Sequence, residues 1–171
     1  MDAVTLLTQQ AHGTHQWLSA TLGDIDPEQA QWAPEGALSV GAHYAHIVNS
    51  EDMLINAVAK GGAPMAATTW AGRTGLSEPM PQGSFSDWSR TATIDMPALR
   101  AYGQAVFANT EAYIASLTPD DLDREIDLTA FGLGKVSLGF FISGITLGNT
   151  NWHCGEISSL KGQQGLKGYP I

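Results

Sequence analysis

Apolar residues recur at steps of three and four along four separate stretches of this chain, and only an α-helix gathers that spacing onto one face. The first stretch runs from Ala3 to about Leu22. Val4, Leu7, Ala11, Leu18 and Leu22 share a side, with one double step between Ala11 and Leu18. The second runs from Val40 to about Lys60, with Ser39 placed to cap its start and Gly61-Gly62 its stop. Two neighbouring stripes on it compete for the core: His43, Ile47, Leu54 and Val58, or Ala42, His46, Met53 and Ala57. The third opens with Asp95 as cap and Pro97 in its first turn, and carries Leu99, Tyr102, Val106, Thr110, Tyr113 and Leu117. The fourth starts near Ser137 and reaches about Lys161, with Ile142, Ile145, Asn149, His153, Glu156 and Leu160 on one face. Such a pattern predicts an all-α fold, a four-helix bundle.

The connections are uneven. Gly61–Ile94, between the second and third helices, contains Pro64, Pro79, Pro81, Gly72, Gly75 and Gly83, with Trp70, Phe85 and Trp88 interspersed. It exceeds the ~12–15 residues usual for a structureless loop. It is long enough to cross the length of the bundle, which leaves up-down-up-down topology open. Its aromatics are expected to pack on the body or on a second subunit. A turn of helix between Pro27 and Pro34, a single turn at Thr118–Leu122 and an extended excursion at Ile126–Thr129 complete the reading. Gly162, Gly165 and Gly168 follow the last helix, where glycine serves as a left-handed cap. Phosphate cradles instead precede helices.

Eight Lys and Arg against 17 Asp and Glu give a net charge of −9 across 171 residues. That balance argues against nucleic acid and against an anionic membrane surface as partner. The length fits a single domain over 1–171. No stretch approaches the ~20 apolar residues of a membrane span. The first residues show no basic segment followed by an apolar run, so a cytoplasmic location is expected. One cysteine, Cys154, rules out an internal disulfide; it lies about 100° around the helix from His153 and is expected to pack between helices.

Chemistry, if present, lies with five histidines: His12 and His15, His43 and His46, and His153. Neutral imidazole is the commonest metal ligand, and bundle cores let side chains from facing helices converge. Spacing alone is weak evidence here, because no HExxH and no Cys/His cluster is present. His12 and His15 are read as non-ligands. His43 is expected to face solvent or a helix interface; three residues before His46 and about 60° around the helix, it also has the alternative of leaning toward the same cavity as His46. Glu51 lies about 140° around the helix from His46, too far to share a site with it. Trp152 is expected in the core or in a pocket wall.

Two phrases carry a resemblance. SVGAHYAHIVNSEDMLI and NTNWHCGEISSLKGQQGLKGYP are similar to segments of the DinB-like (YfiT-like) family of four-helix-bundle metalloenzymes. In that family one ligand histidine lies on the second helix and two lie on the fourth, in a phrase like H-x-x-x-H-x-G-[EQ]-I. His46 matches the first ligand. His153 matches the last, followed by Gly155, Glu156 and Ile157. The position four before His153 is Asn149, where the family has histidine. An amide oxygen is a harder, weaker ligand than imidazole for Zn or Ni. Three readings stay open: Asn149 ligates, Asn149 contacts a water or substrate while another group completes the site, or the site binds no metal. Glu156 is read as a catalytic base or as the support of a ligand imidazole.

The resemblance implies a divalent metal of the Zn or Ni type on His46, Asn149 and His153. It also implies a low-molecular-weight thiol as co-substrate in an S-transferase or isomerase, and association as a homodimer. The competing reading is a non-catalytic bundle with a degenerate site, binding a small molecule or acting in stress. A pocket at the bundle mouth, lined by Trp152 and the Gly61–Ile94 loop, is a third.

Overall fold

The computed structural model describes residues 1–23, 25–81 and 87–171, so Gly83 and Phe85 of the long connection lie outside it. Helix α1 spans Ala3–Thr21 and begins where the Asp2 carboxylate accepts the Thr5 amide at 2.8 Å. A short α2, Pro27–Gln31, is closed by a reciprocal box between Asp26 and Gln29. Helix α3, Val40–Asp52, is capped by Ser39 and continues as π-helical turns over Met53–Ala59. After a 3-10 turn at Met65–Ala67 and a short α4, Trp88–Thr91, helix α5 spans Met96–Ala115, capped by Asp95 as its sequence suggests. A 3-10 turn at Asp120–Asp123 leads into an antiparallel hairpin of β1, Glu125–Leu128, and β2, Gly134–Ser137, with Ile126 opposite Val136. The extended excursion is therefore a hairpin, and its turn residues Thr129–Phe131 coil into a 3-10 turn. The last long helix starts as α6, Leu138–Phe140, widens through π turns at Phe141–Thr146 and continues as α7, Leu147–Gln163. Gly165, at φ 75°, supplies the left-handed residue beyond it.

Cross-helix contacts fix the topology. Arg100 reaches the Leu22 carbonyl and His12 reaches Glu111, so α1 and α5 run antiparallel. Tyr102 bonds Asp52 and Asn109 bonds Asn56, so α3 and α5 run parallel. His43 meets Glu156 and Thr150 meets Glu51, so α3 and α7 run antiparallel. The order is up-down-down-up, and the Gly61–Ile94 connection is the crossover that returns the chain to the far end. Trp88 is buried there and Trp70 packs against the core, as their apolar area requires.

The core divides into two apolar clusters. One holds Leu18, Leu22, Val48, Val106, Phe107, Cys154 and Ile157; the other holds Leu7, Ala11, Ala59, Ile114, Phe141 and Leu147. Between them every long helix contributes a buried polar side chain: His15 from α1, Glu51 from α3, Thr110 from α5 and Thr150 from α7. His15 Nε2 approaches Glu51 Oε1 at 3.0 Å, off the N–H axis, so neither atom completes a well-directed hydrogen bond. His15 Nδ1 lies 2.8 Å from Glu111 Oε1, and the Thr150 hydroxyl lies 3.4 Å from Glu51 Oε2. Burial opposes a charge on His15, but the carboxylates of Glu51 and Glu111 outweigh it and raise the pKa.

Candidate metal centre

Three histidines and a carboxylate meet where α3 faces α7. Antiparallel packing places the first turns of α3 against the middle of α7, opposite the polar layer from the π turns. His46 and His153 approach edge to face, with ring centroids 4.6 Å apart. His43 and His153 are 5.6 Å apart by the same measure. Donor atoms of His43, His153 and Glu156 all lie within 4.8 Å of one another. Glu156 links the group: its Oε2 hydrogen-bonds His153 Nδ1 closely and lies 3.2 Å from His43 Nδ1. A carboxylate can only accept, so His153 carries its hydrogen on Nδ1 in this pair. When the ring is neutral, Nε2 then keeps a free lone pair.

Asn149 stands one turn before His153, and its side chain hydrogen-bonds His46. That places it beside the His46 ring. Burial lowers the pKa of His46, and the neighbouring His153 lowers it further against the Asn149 hydrogen bond. Burial likewise lowers the pKa of His43, with Glu156 opposing. Both rings are biased toward the neutral form.

The structure settles one expectation and corrects another. Of the two places expected for His43 it takes the helix interface, buried between α3 and α7 beside Glu156 and His153. The two stripes on α3 had left its direction undecided, and packing against α7 turns His43 and His46 to the same side. Trp152 does not lie in the core. It is 68% exposed, its ring lying across Gly148 one turn back on its own helix. Cys154 packs between helices as expected, 3.7 Å from the Thr21 hydroxyl. Glu51 stays away from His46 and turns instead to His15.

The arrangement defines a class: a helical bundle holding an imidazole and carboxylate cluster between its second and fourth long helices. The sequence pattern of the DinB superfamily matches residues 10–157, and the chain belongs to that superfamily. A crystal structure of a conserved protein from Enterococcus faecalis shares the fold. Its TM-score is 0.77 over 94% of this chain and 96% of that one, at 17% identity. Among curated proteins no match is found.

Proposed function

We propose that this chain binds a divalent metal ion between α3 and α7, on His46 and His153, with Asn149, His43 or Glu156 completing the set. The observation that carries the reading is that donor atoms of His43, His153 and Glu156 lie within 4.8 Å of one another while the His46 ring packs edge-on against His153. Imidazole with oxygen donors suits ions of the Zn or Ni type, and three protein ligands leave a position open, as catalytic sites do. The fit has a local sign as well: His43 Nδ1 is buried and lacks a well-directed hydrogen bond.

By resemblance to the family, the activity is transfer or isomerisation that uses a low-molecular-weight thiol. A bound ion would supply the Lewis acidity that keeps such a thiol as thiolate at neutral pH. The chain's own groups divide the remaining work. Glu156 is half exposed and touches both His43 and His153, so it is placed to orient His153 and to take a proton from a molecule arriving from solvent. Asn149, bonded to His46, holds that ring in orientation or offers its amide to the ion or substrate.

A second reading has support in one feature. Glu156 already links His43 and His153, so the cluster can stand as a metal-free polar contact in a non-catalytic bundle. Metal analysis of untagged protein separates the two. The first reading expects divalent metal that falls by one equivalent in His153→Ala. Trace metal in both proteins favours the second.

A further inference from the structure

A second group of ligand-type side chains lies outside the α3–α7 centre, in the cleft between α1 and α5. We propose that this cleft is an additional binding site for a divalent transition-metal ion, with His12, His15 and Glu111 as ligands and Glu51 as the carboxylate that orients His15. The inference stands independently of the centre described above.

His12 and His15 are three residues apart on α1 and so share a face. Glu111 comes from the neighbouring α5 and meets both. His12 Nδ1 lies 3.1 Å from one of its oxygens and His15 Nδ1 lies 2.8 Å from the other. The far side of the His15 ring lies against a carboxylate only 1% exposed: Nε2 is 3.0 Å from Glu51, an ion-pair contact that lacks a well-directed hydrogen bond. Phe107 stacks on the same ring with centroids 4.3 Å apart and an interplanar angle of 11°. The imidazole is thus fixed from behind and beside, while Nδ1 faces the cleft.

The cleft holds about 340 Å³ and opens to solvent, with Gln16, Ser19 and Gln104 along its walls. It has room for an ion with water completing the coordination, as in sites with three protein ligands. The two imidazole nitrogens are spread over the two carboxylate oxygens rather than gathered on one point. Drawing them together takes a rotation of His12, whose side chain is 57% exposed. Two imidazoles and a carboxylate favour zinc, copper or nickel over magnesium or calcium.

The test is a calorimetric titration of chelator-stripped, untagged protein with zinc chloride. Wild type is compared with His12→Ala and with His153→Ala. His12 is exposed, so its removal leaves the bundle intact, and circular dichroism checks this. The proposal expects one equivalent fewer in His12→Ala than in wild type, with the equivalent that depends on His153 retained. Equal stoichiometry and affinity in wild type and His12→Ala would overturn it. If wild type binds one equivalent that His153→Ala abolishes and His12→Ala spares, the cleft is refuted and the α3–α7 centre stands. If His12→Ala loses an equivalent and His153→Ala loses none, the cleft stands and the α3–α7 centre is refuted.

Discussion

Asp52 ties the crossover to the bundle, and replacing it should loosen the two together. The side chain is buried at the end of α3. One oxygen accepts Asn56 Nδ2 and the Met65 amide, each at 2.8 Å. The other accepts the Ala66 amide at 2.9 Å and the Tyr102 hydroxyl. Asp52→Asn keeps the shape and leaves one oxygen. Whichever way the amide turns, its NH₂ faces a backbone N–H that then donates to nothing. Tyr102 can rotate and accept; the backbone amide cannot. An orphaned buried donor costs about 1–3 kcal/mol, and hydrogen bonds to a charge are worth about 1.5–3 kcal/mol. Met65 and Ala66 are only half-buried, so the lower end applies. Asp52→Asn should cost about 2 kcal/mol, and Asp52→Ala, which strands all four donors, about 4 kcal/mol. At about 2–4 °C per kcal/mol for a chain of this size, the first variant should melt about 4–8 °C lower. Urea unfolding gives the energies, and hydrogen exchange at Met65 and Ala66 shows whether the loss is local. An Asp52→Asn protein as stable as wild type, with protection unchanged at both amides, would refute this account of the anchor.

Other consequences are as specific. Gly75 sits at φ 81°, and an added Cβ would come within 2.5 Å of the Leu99 backbone nitrogen. Gly75→Ala should therefore cost about 2 kcal/mol or more by urea unfolding, and a neutral result would mean the crossover can shift there. Burial pushes the Cys154 thiol up. A thiol reagent should react with the native protein far more slowly than with the unfolded chain, whereas equal rates would place Cys154 at the surface. The Thr118 hydroxyl and backbone amide hold the Asp121 carboxyl below its ordinary range. The lowered value means this contact is fully present above the unfolded pKa of about 3.9 and is lost as pH falls through the folded one. An NMR titration of Asp121 should show a midpoint below that of an unstructured peptide, and Thr118→Val should raise it.

Helix positions, caps and the crossover were legible because they depend on local chemistry: a cap residue, a periodic stripe, a cluster of proline and glycine. Asp2 escaped this reading because an exposed carboxylate at a terminus carries no pattern of its own. The pairing of helices was less legible, since periodicity tells which residues share a face and not which helix lies opposite. His15 shows the consequence. The double step between Ala11 and Leu18 was a gap in the apolar stripe, and His15 fills it, buried at 4% exposure. Its partner Glu51 lies on another helix, and no spacing within either helix reveals the pair. His46, Asn149 and His153 were singled out through the family phrase; the structure packs the His46 and His153 rings edge to face, with Asn149 beside His46. Two stripes on one helix left His43 open to solvent or to an interface, and only packing against α7 decides for the interface. Glu156 was seen as a support of His153; its reach to His43 depends on packing alone.

The account turns on an ion held between α3 and α7, and an anomalous difference map from crystals of the zinc-loaded protein tests it directly. The predicted result is a peak about 2.0–2.1 Å from ring nitrogens of both His46 and His153, with a third donor from Asn149, His43 or Glu156. Zinc-loaded crystals with no peak beside His46 and His153, the Glu156 contacts to His43 and His153 unchanged, would contradict it.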